Sequence, residues 1–130
     1  MDVLEDMADI TAEHAGEKLR YFAGADPAER TVDALYVRDD VEWDEFRRRE
    51  VDSELDALVA RETYEKLMDA ENVNQLIKVA DDKILFTGFV GEYVAVAAFD
   101  RGVLPLLPEV VGAFREYMLE HDVDFVALEA

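Results

Sequence analysis

Three consecutive segments between residues 73 and 99 constrain the fold more than any other part of the sequence. The segments 73–80, 83–90 and 92–99 are rich in β-branched and aromatic residues, and only Asp81-Asp82 and Gly91 separate them. Separations this short are typical of β-hairpins, so the segments are predicted to form an antiparallel meander. The second and third segments are apolar at nearly every position, which is typical of central strands that are covered on both faces.

The first 40 residues predict one helix and one strand. Asp2 and Glu5 form a capping-box pattern, and apolar residues follow it at helical spacing as far as Phe22, with Gly24 as the stop. Residues 31–37 are rich in β formers and predict a strand.

Two more helical regions and a last strand are predicted in the rest of the chain. Residues 44–71 are helical in composition with a break near Asp52-Ser53. Ser53 would cap the second part, which is expected to bury its apolar residues: Leu55, Leu58, Val59, Tyr64, Leu67 and Met68. Pro108 opens the clearest helix, in which apolar residues keep an i, i+3, i+4, i+7 pattern, and residues 123–128 predict a final strand.

This order of elements predicts an α+β fold in which helices pack on an antiparallel sheet built around the three-stranded meander. The length of 130 residues predicts a single domain that spans residues 1–130.

The acidic residues are spread along the whole chain and give it a net charge of −19. With 51% hydrophobic residues the chain has enough apolar material for a core, which excludes an acidic disordered tail. Self-repulsion destabilises a compact state of this charge, and molar salt relieves it by shortening the screening length to about 3 Å. We interpret the composition as that of an extreme halophile's protein. The same charge argues against nucleic-acid binding.

Other absences narrow the class of protein. No apolar stretch approaches the length of a bilayer span, so no membrane insertion is predicted. The first residues lack the basic region and apolar run of a signal peptide, which predicts a cytoplasmic protein. The chain has no cysteine, which excludes disulfides and thiolate catalysis.

Few residues suit catalysis or metal binding. Ser53 does not lie in a nucleophile elbow, and no glycine-rich phosphate loop occurs. His14 and His121 lie on different predicted helices, where lone histidines are more often structural. Acidic pairs arise by chance when 32 of 130 residues are acidic. The sequence therefore predicts no catalytic residue, no metal site and no cofactor.

The run Arg47-Arg48-Arg49 is the one feature that the composition does not predict. Helical geometry separates consecutive side chains by about 100°, so the three cannot form one flat patch. One interpretation is a set of ion pairs along the helix, Arg48 with Asp44 and Arg49 with Glu45. The other is an anchor for an acidic partner next to Trp43 and Phe46, since arginine and aromatic residues dominate interface energies.

The sequence has two resemblances to known groups of proteins. The tract 35–41, Leu-Tyr-Val-Arg-Asp-Asp-Val, followed by an acidic helix and a meander, resembles small proteins of haloarchaea that carry no assigned activity. The closing unit of three strands and a helix is similar in order to the second half of roadblock/longin-type domains. That resemblance implies a dimeric or partner-binding module without catalysis. The sequence departs from it in the first half, where a single strand is predicted, and in the extra terminal strand.

The preferred interpretation is a non-catalytic cytoplasmic module that acts as a homodimer or binds a protein partner. It rests in part on large apolar residues with no evident place in one small core: Trp43, Phe46, Phe89, Leu104 and Leu106. The alternative is a small enzyme or a ligand or metal binder that uses a carboxylate/histidine site.

Overall fold

The structure is a computed structural model that describes residues 2–123, apart from the side chains of Asp2 and residues 57–59. Its elements in chain order are α1 (Asp2–Ala15), β1 (Leu19–Asp26), β2 (Thr31–Val37), α2 (Glu45–Glu54), α3 (Asp56–Met68), β3 (Gln75–Val79), β4 (Lys83–Val90), β5 (Tyr93–Asp100) and α4 (Leu107–Glu120). Short 3-10 helices at Gly16–Lys18 and Arg101–Leu106 lead into β1 and α4.

The strands form one antiparallel sheet in the order β2-β1-β5-β4-β3. The predicted meander is present, with Phe86 of β4 opposite both Ile77 of β3 and Ala97 of β5. β1 pairs with the far side of β5, where Gly24 lies opposite Ala95. The α+β class is therefore confirmed, and β2 and β3 are the two edge strands.

The prediction that the first helix continues to Phe22 is wrong. α1 ends at Ala15 because Gly16 follows it with a φ of +58°, a left-handed conformation that stops a helix and suits glycine. Residues from Leu19 onward form β1, which is buried on both faces. Leu19 and Phe22 are three residues apart, a spacing that fits a helix, but a doubly buried strand also places apolar residues at every position.

Helices cover both faces of the sheet. α1 and α4 cover one face, where Leu4 and Phe114 pack with Phe22, Phe86 and Phe99. The rings of Phe86 and Phe114 have centroids 5.7 Å apart.

α2 covers the opposite face. There Val51 is fully buried among residues of the sheet that include Tyr21, Phe89 and Val96. Both faces of β4 and β5 are covered, as their sequences predict.

The helical region after residue 44 differs from its prediction in detail. α2 begins after Asp44, whose carboxylate accepts a hydrogen bond from the Arg47 N–H at 3.0 Å. Ser53 is not an N-cap, because its hydroxyl donates to the Glu50 carbonyl within α2 at 2.7 Å. The break falls at Leu55. Two residues expected to be buried in the second part, Leu67 and Met68, are 79% and 68% exposed.

The last helix, α4, agrees with its prediction, and Val110, Phe114 and Met118 form its buried stripe. Val123 is not in a strand, and the rest of the predicted terminal strand lies outside the described residues. Among the described helices, none combines the length and the apolar character needed to cross a membrane.

Candidate interaction surfaces

A polar cleft of about 360 Å³ lies between α2 and one end of the sheet. β1, the segment after β2, α2, β4 and β5 all contribute to its wall. The lining residues are Arg20, Tyr21, Arg38, Asp40, Val41, Glu42, Asp44, Phe46, Arg47, Glu50, Lys83 and Ala98. The cleft thus contains four of the thirteen basic residues of the chain.

Glu50 is the central carboxylate of this cleft. Its Oε1 accepts a hydrogen bond from the Tyr21 hydroxyl at 2.5 Å, and its Oε2 lies 2.6 Å from Lys83 Nζ and 3.3 Å from Arg47 Nη1. Burial alone would raise the pKa of Glu50, but the bonds from Lys83 and Tyr21 outweigh it and lower the pKa. Burial and the bond to Glu50 raise the pKa of Tyr21. Three hydrogen bonds to its two oxygens therefore favour the charged form of Glu50.

A second ion cluster beside the cleft is centred on Asp100, at the end of β5. Arg20 Nε and Arg38 Nη1 each lie 2.7 Å from an oxygen of Asp100. Arg38 also bonds Asp40 at 2.5 Å and the Glu17 carbonyl at 2.7 Å. Hydrogen bonds from Arg38 lower the pKa of both Asp100 and Asp40. The cluster joins β1, β5 and the chain after β2, so it stabilises the fold at this end of the sheet.

The structure separates the residues of the predicted partner site. Trp43 is half-buried and packs edge-on against Tyr21, with ring centroids 5.3 Å apart. Phe46 is exposed at the mouth of the cleft, and the Arg47 guanidinium lies 5.6 Å from its ring centroid. Arg47 turns into the cleft toward Glu50.

Arg48 and Arg49 lie around a shallower depression of about 180 Å³, together with Arg30 from the turn between β1 and β2. Arg49 Nε is 3.7 Å from Glu45, an ion pair that the helical spacing predicts. Among the described residues the Arg48 and Arg30 guanidinium groups have no ion pair. Sequence reasoning missed Arg30 because a tertiary contact between a turn and α2 brings it here.

The two histidines lie at opposite ends of a helix pair. His14 Nδ1 is 3.3 Å from Glu109, and Tyr117 donates to Asp6 at 2.5 Å, so α1 and α4 run antiparallel. His121 stacks on Tyr117 near the start of α1, on the order of 15–20 Å along the helix axis from His14. Among the described residues no three His, Asp or Glu side chains are grouped as metal ligands would be.

Among the described residues, the outer edge of β3 is a row of backbone groups that no other strand pairs with. The Ala80 N–H bonds the Lys83 carbonyl and the Phe89 N–H bonds the Asn74 carbonyl, each at 2.9 Å. In an antiparallel pair, every second residue directs its N–H and C=O groups to the neighbouring strand. Residues 74, 76, 78 and 80 therefore bond to β4, and the backbone groups of residues 75, 77 and 79 are directed away from the sheet. This is the pattern of a strand that can accept another strand.

Exposed apolar side chains accompany this edge. Ile77 and Val79 are 46% and 53% exposed, and Leu67 and Met68 lie on the helix just before β3. Of the residues expected to lack a place in the core, Phe46 and Leu104 are exposed. Phe89 is fully buried on the α2 face, because α2 provides a second core that the sequence did not reveal.

The model of one protein family, described as a domain of unknown function (DUF7522), matches residues 5–119. The chain belongs to the DUF7522 family. The search of curated proteins gave no significant match.

Solved structures are similar to this DUF7522 chain in fold. MglB of Myxococcus xanthus superposes with a TM-score of 0.65 at 12% identity, over 92% of this chain and 86% of the other. The gliding protein mglB of Thermus thermophilus gives 0.60 at 14% identity, over 87% and 83%. These neighbours are roadblock/longin-like and support the fold resemblance. The sequence predicted a single strand before the long helical region, which would differ from roadblock/longin-type domains. The structure has two strands there, β1 and β2, so this difference is not found.

Proposed function

We propose that this protein is a non-catalytic interaction module that acts as a homodimer, or binds a protein partner, through the edge of β3. The observation that carries the proposal is a strand edge that no described residue pairs with, on a strand whose Ile77 and Val79 side chains are exposed. Edge strands of stable monomers are commonly protected by charged residues, especially lysine. The ammonium of Lys78, the lysine of β3, is instead bonded to both oxygens of Glu54 on α2, at 2.8 and 2.9 Å.

The register of β3 suits a two-fold axis. In an antiparallel pair of identical strands centred on Ile77, residue 75 of one copy faces 79 of the other, and Ile77 faces Ile77. All three residues have backbone groups directed outward, so this pairing joins the two sheets without loss of any bond to β4. The exposed side chains of Ile77 and Val79 then lose contact with water, which stabilises the pair.

Proline at position 77 tests the edge directly. Ile77→Pro removes an outward N–H that β4 does not use, and proline is tolerated at strand edges. We expect light scattering in molar KCl to give twice the chain mass for the native protein and the single mass for the variant. Leu119→Glu is the control. It replaces an exposed leucine of α4, which is far from β3 in sequence, and this variant should remain dimeric.

A native protein that is monomeric at high concentration would contradict the homodimer. The edge of β3 would then be proposed to bind a different protein. A cysteine at position 77 gives an independent check, because the chain has none. Ile77→Cys should form a disulfide-linked dimer on mild oxidation, since paired residues there have Cα atoms about 5.5 Å apart.

We propose that the predicted residues Trp43, Phe46, Arg47, Arg48 and Arg49 serve a second contact, with an acidic partner. Two observations support it: the Phe46 side chain is exposed, and the Arg48 guanidinium has no ion pair among the described residues. A fluorescent oligoglutamate peptide is the probe. Its anisotropy should rise with the native protein and not with Arg48→Glu/Arg49→Glu; equal binding by both would contradict the contact.

We further propose that the protein works as a single domain in the salt-filled cytoplasm of a halophile. The net charge of −19 on a chain with this much core supports that environment.

A further inference from the structure

We infer that the cleft around Glu50 binds a small organic anion through Arg47 and Lys83. The recognised chemistry is a carboxylate or phosphate group. This inference does not depend on the proposed dimer or on a protein partner.

The basic residues of the cleft fall into two groups. All three nitrogens of the Arg38 guanidinium donate to Asp40, Asp100 or the Glu17 carbonyl. Arg20 uses Nε on Asp100 and Nη2 on the Asp82 carbonyl. These two arginines hold the fold together at this end of the sheet, and Arg38 has little capacity left for a ligand.

Arg47 and Lys83 have donors to spare. Among the described residues each side chain makes one polar contact, and both contacts go to the same oxygen of Glu50. A guanidinium carries five N–H donors and an ammonium carries three, so most of their donors are unused in the cleft wall. Glu50 fixes the two cations side by side, which lowers the entropy cost of binding an anion between them.

The acidic residues of the cleft are mostly occupied. Glu50 accepts three hydrogen bonds, Asp44 accepts the Arg47 N–H, and Asp40 is bound by Arg38. A bound cation would have to compete with Lys83 and Arg47 for Glu50. Glu42 is the exception, because it is exposed and its carboxylate has no partner among the described residues. It should weaken the binding of an anion.

The size and surroundings of the cleft suit a small molecule. A volume of about 360 Å³ lies within the usual range of ligand sites. Exposed Phe46 offers an apolar surface at the mouth for the rest of the ligand. Trp43, the single tryptophan of the chain, packs on Tyr21 of the cleft wall and so provides an optical signal.

Titration of the full chain with inorganic phosphate and with acetate, in molar KCl, tests the inference. We expect a saturable change of Trp43 fluorescence with at least one of these two anions. A response to phosphate indicates a ligand with a phosphate group, and a response to acetate indicates a carboxylate. Arg47→Gln and Lys83→Gln should each weaken binding by about tenfold, the loss typical of one charge-assisted contact. Arg115→Gln changes an exposed arginine of α4, on the opposite face of the sheet, and should leave the affinity unchanged.

Glu42→Gln gives an opposite and independent outcome. Its side chain is exposed, so the fold is retained, and anion binding should become tighter. No saturable response to either anion, an unchanged affinity in the folded Arg47→Gln variant, or an equal loss in Arg115→Gln would overturn the inference.

Discussion

Glu50 and Glu54 lie one turn apart on α2, and each carboxylate meets a lysine that extends from the sheet. Glu50 bonds Lys83 of β4 at 2.6 Å, and Glu54 bonds Lys78 of β3 at 2.8 Å. Glu54 is almost fully buried and also accepts a hydrogen bond from Thr87 at 3.1 Å. Charged contacts therefore attach α2 to the sheet on both sides of the apolar contact made by Val51.

The Glu54–Lys78 pair predicts an asymmetry between variants. Lys78→Met leaves a buried carboxylate with Thr87 as its remaining partner, and we expect the free energy of unfolding to fall by about 2–3 kcal/mol. Adding Glu54→Gln should restore part of the loss, because a neutral amide is easier to bury than an unpaired carboxylate. Urea unfolding in molar KCl measures both. A double variant less stable than Lys78→Met would contradict this account.

Glu50 predicts a dependence of stability on acid. Its pKa is lower in the folded state than its ordinary value of 4.5, so near that pH the unfolded chain binds more protons. The contribution of Glu50 is therefore complete above pH 4.5 and is lost as the pH falls through the lower folded-state pKa. Urea unfolding should show a smaller loss of stability on acidification for Glu50→Gln than for the native protein. Parallel pH curves would show that Glu50 is not responsible.

Among the secondary-structure elements, backbone conformation decides where α1 ends and β1 begins. Gly16 has a φ of +58°, whereas Gly112 lies within α4, and nothing lies within 4 Å of a Cβ added at either position. The two glycines therefore differ in backbone conformation rather than in available space.

Alanine should act in opposite directions at these two glycines. We expect Gly16→Ala to destabilise the protein by about 1 kcal/mol, because alanine disfavours the left-handed region. Gly112→Ala should stabilise it by about 0.5–1 kcal/mol, since alanine is the better helix former. Thermal unfolding followed by circular dichroism measures both changes. The same sign for the two substitutions would mean that space, not conformation, controls one of the sites.

Packing also explains why α3 differs from the other helices. α1, α2 and α4 supply fully buried residues to the two cores. In α3 none of the described side chains, which exclude those of residues 57–59, is fully buried, and Leu67 and Met68 at its end are exposed. Its connection to β3 is polar, with Arg61 Nε bonding the Val73 carbonyl at 2.9 Å. The end of α3 and the edge of β3 thus leave apolar side chains exposed to water.

Across the molecule as a whole, like-charge repulsion opposes folding. The chain has 32 acidic residues and 13 basic ones, so salt screens more repulsion than attraction even though it also weakens pairs such as Arg38–Asp100. We expect the midpoint of urea unfolding to rise steeply from low to molar KCl. NaCl at equal ionic strength should act similarly if screening is the cause. A midpoint that is flat across this range would contradict adaptation to salt.

The meander, α4 and the α+β class could all be predicted from the amino-acid sequence. Each depends on local signals: tight turns at Asp81-Asp82 and Gly91, and an unbroken apolar stripe behind Pro108. Helical spacing also indicated that the three arginines 47–49 do not share one surface, and Arg47 enters the cleft while Arg48 and Arg49 lie around the other depression. Such features need only the geometry of one helix or one hairpin.

The position of β1 and the composition of the cleft depend instead on tertiary contacts. A mostly apolar segment such as 19–25 fits a helix or a buried strand. It is a strand because β2 on one side and β5, about 70 residues later, on the other supply its hydrogen bonds. The cleft joins Arg20, Glu50 and Lys83 from three elements whose neighbours are set by the sheet order. Contacts between distant segments depend on which strands pair, and that depends on the free energy of the whole fold rather than on any local pattern.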